Sequence, residues 1–304
     1  MAGILQNPIF VKQKCKHMLF LILSIFCSVS VGIIFKTARR YEISITQIVA
    51  WNYVFAIILC YLFFKPELGT IDASAPWGIY IPLMILLPLI FKLLALSIRH
   101  IGIVKTDAAQ RLSLFIPILA AWFIFKENFN LLKLIGLGVG FPAILLILAK
   151  KEEKESKNWL YPLIVLIGFG VIDVLFKQIA LYTTLPYTTS LYVVFCGALA
   201  LTILAVLYEL CFKNTSIKII NLAFGALVGI FNFGNILFYL KAHKAFSDNP
   251  STVFAAMNMG VIVLGSLAGI LIFREKLSKL NYLGIILALV AIIFITLSQI
   301  HTTS

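Results

Sequence analysis

Long apolar segments recur along the whole chain, and each is close to the length that a helix needs to cross a bilayer. A transmembrane helix needs about 20 apolar residues, whereas a membrane barrel shows short alternating strands. Hydrophobic residues make up 62% of the 304 positions and charged residues only 12%. A water-soluble fold would therefore expose far too much apolar surface. The sequence predicts an all-α membrane protein surrounded by the lipid bilayer.

Polar breaks divide the chain into ten predicted transmembrane helices. Their ranges are 18–36, 44–64, 77–98, 104–125, 131–149, 159–180, 186–212, 217–240, 250–273 and 279–299. The strongly charged segment KKEEKESK separates the fifth helix from the sixth and divides the chain almost in half. The predicted organisation is an N-terminal segment 1–17, a five-helix unit 18–149, a linker 150–158, a second five-helix unit 159–299 and a C-terminal tail 300–304.

Composition argues against several classes of function. The net charge is +13, but the 25 Lys and Arg residues are scattered between the apolar segments, which favours attraction to lipid headgroups over binding of nucleic acid. The five cysteines lack paired spacing, so neither a disulfide framework nor a metal site is predicted. The chain also lacks phosphate-loop, zinc-protease and nucleophile-elbow motifs, so we expect no cofactor, no catalysis and no ATP-driven pump.

Two landmarks repeat at one spacing and indicate internal duplication. FKENF at 125–129 and FREKL at 273–277 lie 148 positions apart, as do Gly136 and Gly284. Lys36 and Lys177 are 141 positions apart, which places a length change of a few residues in one loop. Because five is an odd number, the second unit would enter the membrane from the opposite side. Inverted repeats of this kind are typical of secondary transporters that bind substrate near the membrane midplane.

The doubled F-basic-E-x-hydrophobic pattern, with a glycine nine residues after the glutamate, resembles the EamA repeat of the drug/metabolite transporter superfamily. The resemblance covers residues 18–299 and implies a ten-helix carrier of small metabolites, often an exporter of amino acids. It implies a cavity formed by helices one to four and six to nine, with the fifth and tenth helices peripheral. It also implies a multi-pass protein of the cell (inner) membrane with cytoplasmic termini. The basic N-terminal cluster agrees, although the Lys and Arg count of the loops favours the opposite orientation.

Charged residues inside the apolar segments are the first candidates for a binding site. Asp173 and Lys177 lie one helical turn apart in the sixth helix, where an insertion scale puts the cost of a charge at about 2.5–3.5 kcal/mol. Lys36 occupies the matching position in the first helix. Each lysine either extends to the membrane surface or meets a charged substrate, and the repetition favours the substrate. Asp173 either forms an intrahelical ion pair with Lys177 or carries a coupling proton.

Further candidates occupy matched positions of the two units. Asp107 and Arg111 form a second acid-base pair in the fourth helix, and Gln110 aligns with Asn258. Such polar side chains serve either helix packing or substrate binding. The predicted substrate-binding residues are Lys36, Trp51, Gln110, Arg111, Lys177, Tyr192, Asn232, Asn235, Lys241 and Asn258, and the predicted ion-pair or coupling residues are Asp107 and Asp173.

These cations outnumber the acids, which favours a substrate that presents a carboxylate. The leading hypothesis is a secondary transporter that exports amino acids or related organic anions and zwitterions by alternating access, with proton coupling as an option. An exporter of drugs or other organic cations would need an acid in the first helix, which has none. A non-transporting membrane scaffold or receptor is the alternative of another class. Small residues on the fifth and tenth helices fit either a monomer or a homodimer.

Overall fold

A computed structural model of the chain describes residues 8–38, 40–67, 69, 71, 75–101, 109–110, 112–148, 160–182, 185–213, 215–274 and 278–301. These residues form ten helices and no strand, which confirms the predicted all-α fold. The helices are α1 Pro8–Ala38, α2 Ile45–Phe64, α3 Trp77–Ile101, α4 Phe115–Phe123, α5 Leu131–Leu148, α6 Leu160–Tyr182, α7 Tyr187–Phe212, α8 Ile219–Ala245, α9 Pro250–Phe273 and α10 Lys279–His301.

The observed helices differ from the predicted ranges at two places. Helix α1 begins at Pro8 and not at position 18, although its apolar part starts at Met18. Helix α4 covers only Phe115–Phe123 of the predicted 104–125, and positions 102–108 and 111 lie outside the described residues. Two prolines lie inside α3 and one inside α5, and both helices continue past them.

Seven of the described helices contain a segment long and apolar enough to cross a membrane. These segments lie in α1, α2, α3, α6, α7, α8 and α9. Helices α5 and α10 contain shorter apolar segments, Leu131–Leu146 and Lys279–Ile295. In lipid, backbone N–H and C=O groups must find hydrogen-bond partners within the protein, and an α-helix satisfies them within its own segment. The chain is therefore a multi-pass membrane protein.

The contacts between helices follow a regular pattern. Helix α1 packs on α8 and α9, and correspondingly α6 packs on α3 and α4. Helix α2 packs on α8 as α7 packs on α3, and α2 contacts α7, α4 contacts α9 and α5 contacts α10. Exchanging each helix for the one five places along the chain therefore reproduces this set of contacts. Helix α9 also packs on α10, and α6 on α8.

Small residues allow the closest of these approaches. A Cβ atom added at Gly229 of α8 would lie 2.7 Å from Cβ of Phe55 and 2.8 Å from the carbonyl oxygen of Asn52, both in α2. A Cβ atom at Gly136 of α5 would lie 2.7 Å from Cγ1 of Ile295 in α10. The small residues of α5 therefore pack within the molecule, against α10.

A buried ion pair fixes the connection between α4 and α5. The Glu127 carboxylate accepts hydrogen bonds from the Lys133 ammonium, from the backbone N–H of Ser251 at 2.8 Å and from its hydroxyl at 2.7 Å. Lys133 also donates to Oδ1 of Asn249 at 3.0 Å. Because Ser251 lies in the first turn of α9, the carboxylate also meets the positive end of that helix. The matching Glu275 lies outside the described residues.

Replacement of Gly229 by alanine should weaken the contact between α8 and α2. The added methyl group overlaps Phe55 and the α2 backbone, and overpacking of this kind costs about 1–3 kcal/mol. We expect a lower unfolding temperature in detergent. Gly138→Ala is the matched control, because nothing lies within 4 Å of a Cβ atom at that position. Equal unfolding temperatures for the two variants would contradict the packing described here.

Replacement of Glu127 by glutamine should destabilise the fold strongly. The change keeps the shape of the side chain but leaves the buried Lys133 ammonium without its carboxylate, which costs about 3–5 kcal/mol. Glu42→Gln is the control, since Glu42 pairs with Lys218 at the surface and should have no measurable effect. A Glu127→Gln protein with the thermal stability of the parent would show that this ion pair does not hold the loop.

Candidate functional site

Helices α4, α6 and α8 end, and α5 and α9 begin, at one end of the bundle, which we name end A. Lys177 of α6 is completely buried there. Its Nζ atom donates to the carbonyl oxygens of His243 at 3.3 Å and Ser247 at 3.2 Å. The Nζ atom also lies 5.9 Å from the centre of the Phe125 ring. Lys177 therefore joins the end of α6 to the end of α8.

Carbonyl groups at the C-terminus of a helix are favourable hydrogen-bond acceptors for a cation such as the Lys177 ammonium. The last carbonyl groups of a helix lack partners within the helix and carry its negative partial charge. No carboxylate among the described residues lies within 4 Å of the Lys177 ammonium. Glu127 and Asp248 act on it only from a greater distance. The ammonium is thus buried as a cation that backbone dipoles stabilise.

Asp173 has a partner on another helix. Its Oδ1 atom accepts a hydrogen bond from the Tyr239 hydroxyl of α8 at 2.9 Å. Since Lys177 binds backbone carbonyls, the two side chains do not form the intrahelical ion pair that their spacing favoured. Both residues instead connect α6 to α8.

Tyr239 also contacts His243 one turn further along α8. The two ring centres are 4.5 Å apart with the rings nearly perpendicular, and the Phe254 ring of α9 lies 4.7 Å away on another side of the imidazole. His243 is completely buried, and neither ring nitrogen has a hydrogen-bond partner among the described residues. The isolated position of this histidine in the sequence gave no reason to select it.

Lys36 has a different environment from its counterpart Lys177. It lies in the last turn of α1 and is exposed, whereas Lys177 is completely buried. The neighbouring Phe35 ring lies 5.7 Å from the Phe91 ring of α3. Matched lysines of the two units therefore have unequal surroundings.

The opposite end of the bundle, where α1 and α7 end and α2 and α8 begin, is named end B. An amide network connects α2 and α8 at this end. Nδ2 of Asn221 donates to Oε1 of Gln47 at 2.7 Å, and Nε2 of Gln47 donates to the carbonyl oxygen of Ser216 at 2.8 Å. Oδ1 of Asn221 accepts the backbone N–H of Ser44 at 3.1 Å. Sequence analysis missed this pair, although an amide in the first turn of each apolar helix was a visible signal.

Two acids at end B complete the network. The Glu209 carboxylate accepts from the Thr46 hydroxyl at 2.8 Å and lies 3.8 Å from the Lys92 ammonium. Glu42, in the loop before α2, accepts from Lys218 at 2.8 Å. This hydrogen bond lowers the pKa of the Glu42 carboxyl group, so the surface pair persists to lower pH than an isolated glutamate would allow.

A cavity of about 180 Å³ lies between α2, α3 and α7 next to this network. Its walls are mostly apolar, and Thr46, Lys92 and Thr202 contribute polar atoms. None of the predicted substrate-binding residues lines it.

The predicted amides of α8 bind side chains of two neighbouring helices. Nδ2 of Asn232 donates to Oδ1 of Asn52 in α2 at 3.0 Å, and Oδ1 of Asn235 accepts from the Ser24 hydroxyl of α1 at 2.9 Å. Asn52 is completely buried, and its Nδ2 atom has no partner among the described residues. The two amides therefore lie at the contact of α8 with both helices.

The remaining predicted residues are more dispersed. Nδ2 of Asn258 donates to a carbonyl of its own helix, and Gln110 lies in the short helical stretch 109–110. The Trp51 side chain packs beside Gly225 of α8, and the Tyr192 ring lies 6.4 Å from the Tyr61 ring. Asp107 and Arg111 lie outside the described residues.

Lys241 is enclosed by aromatic rings. Its Nζ atom lies 5.7 Å from the ring centre of Phe20, 6.0 Å from that of Phe64 and 5.8 Å from that of Phe238. These rings belong to α1, α2 and α8, and their faces attract the ammonium electrostatically. Lys241 thus connects three helices without a carboxylate partner among the described ion pairs.

The described residues contain no group of three or more His, Cys, Asp or Glu side chains that could hold a metal ion. The polar chemistry of the site is therefore that of ammonium, amide, carboxylate, phenol and imidazole groups on α1, α2, α6 and α8. Such groups can bind a charged or polar solute and carry protons.

Comparison with known proteins identifies the family of the chain. Residues 16–149 match the model of the EamA-like transporter family, close to the range predicted for the first unit. An uncharacterized protein of Haemophilus influenzae (strain Rd) is 41% identical over 282 residues, which cover 90% of this chain and 95% of the relative. A crystal structure of a protein with 12% sequence identity has a TM-score of 0.74 and covers 95% of this chain and 99% of that chain, which shows a shared fold. The chain belongs to the EamA-like transporter family.

Proposed function

We propose that the protein is a secondary transporter that moves small anionic or zwitterionic metabolites, such as amino acids, by alternating access. Its two inverted five-helix repeats would be residues 18–149 and 159–299, joined by the linker 150–158. The observation that carries the proposal is the unequal environment of the matched lysines, with Lys36 exposed and Lys177 completely buried.

The contacts between helices support the inverted repeat. Contacts of α1 and α2 with the second unit recur as contacts of α6 and α7 with the first, and α2–α7, α4–α9 and α5–α10 pair each helix with its own counterpart. A two-fold relation between the units would produce this set. The odd number of helices per unit then requires that its axis lie in the membrane plane.

Several contacts depart from this symmetry, including that of α9 with α10, which α4 and α5 do not reproduce among the described residues, and that of α6 with α8. Helices α6 and α8 pack broadly at end A, whereas the corresponding contact of α1 with α3 is much smaller among the described residues. In a transporter whose two five-helix units exchange their conformations during the cycle, such a difference distinguishes the state closed at end A from the state closed at end B. The present conformation is then closed at end A, and the exchanged conformation would bury Lys36 and release Lys177.

The charges support an anionic or zwitterionic substrate. Lys177 has no acid within 4 Å among the described residues, so a carboxylate entering from end A would find an ammonium without a competing ion pair. At end B, the exposed Lys36 ammonium would contact the carboxylate of the substrate. The amides of Asn232 and Asn235 would hydrogen-bond polar groups of the solute between them. No chemical step is needed for such a cycle.

Orientation and direction belong to the same proposal. We place both termini in the cytoplasm of a cell whose inner membrane holds the protein, which makes end A the cytoplasmic end. Export would then begin with substrate binding from end A. Monomers and homodimers are both compatible with the intramolecular contact of α5 with α10.

Replacement of either matched lysine by alanine should reduce transport at least about tenfold, since a hydrogen bond to a charged group contributes about 1.5–3 kcal/mol. Flux of labelled amino acids, organic acids and nucleosides is measured in reconstituted vesicles for Lys36→Ala and Lys177→Ala. Lys213→Ala, which removes an exposed lysine, is the control and should keep normal flux. Normal flux in both lysine variants would contradict their role. Absence of flux for every solute with the unmodified protein would favour a scaffold or receptor.

Replacement of Asp173 by asparagine should separate coupling from exchange. If the carboxyl group carries the coupling proton, the variant loses uptake driven by a pH gradient but keeps exchange of labelled for unlabelled substrate. Tyr239→Phe, which removes the donor to Asp173, is the companion variant and should alter the pH dependence without abolishing coupling. Unchanged pH-driven uptake in Asp173→Asn would exclude this carboxyl group as the proton carrier.

A further inference from the structure

His243 is a buried titratable group that the proposed transport cycle does not use. Its imidazole lies between the rings of Tyr239 and Phe254, and both ring nitrogens lack hydrogen-bond partners among the described residues. A neutral imidazole contains one donor and one acceptor, so an unpaired ring is an unusual feature of a folded core. Its backbone carbonyl is one of the two that hold the Lys177 ammonium.

Charged groups surround this residue on several sides. Helix α6 contributes Lys177, and Asp173 binds the hydroxyl of Tyr239, which contacts the imidazole. The loop after α8 contributes the exposed Asp248. The α4–α5 connection carries Glu127, which Lys133 neutralises and which acts on Lys177 from a distance, and α9 contributes the uncharged Phe254. On the outer side of α8, Lys244 is exposed with its ammonium over the Tyr187 ring, while α1 and α2 place aromatic rings around Lys241.

We propose that His243 is a proton-binding site that controls end A, and that its protonation releases Lys177 from the carbonyl groups at the end of α8. The inference rests on the proposed function because it assumes that end A opens. It adds a second proton-carrying group to Asp173 and assigns it a separate task.

The geometry explains why protonation of His243 is unfavourable while end A is closed. A protonated imidazole has two N–H donors, and its described neighbours at this position are aromatic rings and no acceptor. It would also place a second cation beside Lys177, for which no described acid lies within 4 Å. Opening of end A supplies water as an acceptor for both cations.

The route of the proton is short. Ser247 and Asp248 are exposed and lie within about one turn of the His243 backbone. The proton comes from hydronium in the aqueous phase at end A, adds to the free electron pair of the imidazole and returns to the same phase on closure. No other bond forms or breaks.

The size of the effect follows from linkage. A histidine in water titrates near pH 6.5, so the open end binds a proton readily at pH 5.5 and hardly at pH 7.5. If His243 does not bind a proton while end A is closed, the ratio of open to closed molecules rises about tenfold as the pH falls from 7.5 to 5.5.

Hydrogen exchange of the intact protein in lipid nanodiscs tests the inference without a substrate. Backbone exchange of residues 243–252 is measured at pH 5.5 and pH 7.5, and each rate is divided by the intrinsic chemical rate at that pH. We expect the protection of this segment to fall about tenfold at pH 5.5. In His243→Phe, which keeps the aromatic packing but cannot bind a proton, protection should be equal at both values.

Three controls make the result specific. Asp248→Asn and His301→Phe should keep the tenfold response, and residues 219–225 at end B should show no loss of protection in any protein. His243→Gln replaces His243→Phe if the latter does not fold. A response that persists in the His243 variant, is lost in Asp248→Asn or is absent from the unmodified protein would overturn the proposal.

The outcome also separates this inference from the proposed function. A pH response that requires His243, together with no flux of any solute, would support the proton site and contradict transport. Normal flux with equal protection at both pH values would support transport and contradict the proton site.

Discussion

The arrangement depends on how a buried ammonium is stabilised among apolar helices. The Lys177 ammonium donates to the carbonyl oxygen of His243, in the last turn of α8, and to that of Ser247, in the turn that follows the helix. The last carbonyl groups of a helix carry its negative partial charge. A charge at membrane depth is costly without such partners. Because the carbonyl groups lie at the end of α8 and in the turn after it, the bonds that stabilise the charge also join α6 to α8 at end A. Loss of these bonds would require another partner for the ammonium, and either water or a substrate carboxylate can provide one.

The other polar contacts fit this view of two ends with different tasks. At end B, the amides of Gln47 and Asn221 join α2 to α8 through uncharged hydrogen bonds. At end A, the contacts of α6 with α8 include Asp173, Tyr239 and Lys177, whose side chains are ionisable. The close packing around Gly229 keeps α8 fixed against α2. Helix α6 is therefore the element that we expect to move relative to α8.

The sequence was sufficient for the helical fold because lipid leaves the backbone few alternatives. Apolar length located the helices. Depth in the apolar segment selected both Lys36 and Lys177 as buried charges, but only Lys177 is buried, and Lys36 is exposed at the end of α1. The partner of Asp173 could not be predicted from local spacing. The Tyr239 hydroxyl that binds Asp173 and the carbonyl groups that bind Lys177 lie on or just after another helix, so only the folded arrangement brings them to this site. His243 was missed because its significance comes from residues that the fold brings together, and Asp107 and Arg111 lie outside the described residues.

The central claim is that the two ends open in alternation, and distances between spin labels at each end test it most directly. At end A, labels at the exposed Pro186, just before α7, and at the exposed Ser247 report the separation of the α6–α7 connection from the α8–α9 connection. At end B, labels at the exposed Arg40 and Leu96 report the separation of α1 from α3. The account predicts that any condition which lengthens the distance at end A shortens the distance at end B. Distances that lengthen together, or an end B that stays unchanged while end A opens, would contradict it.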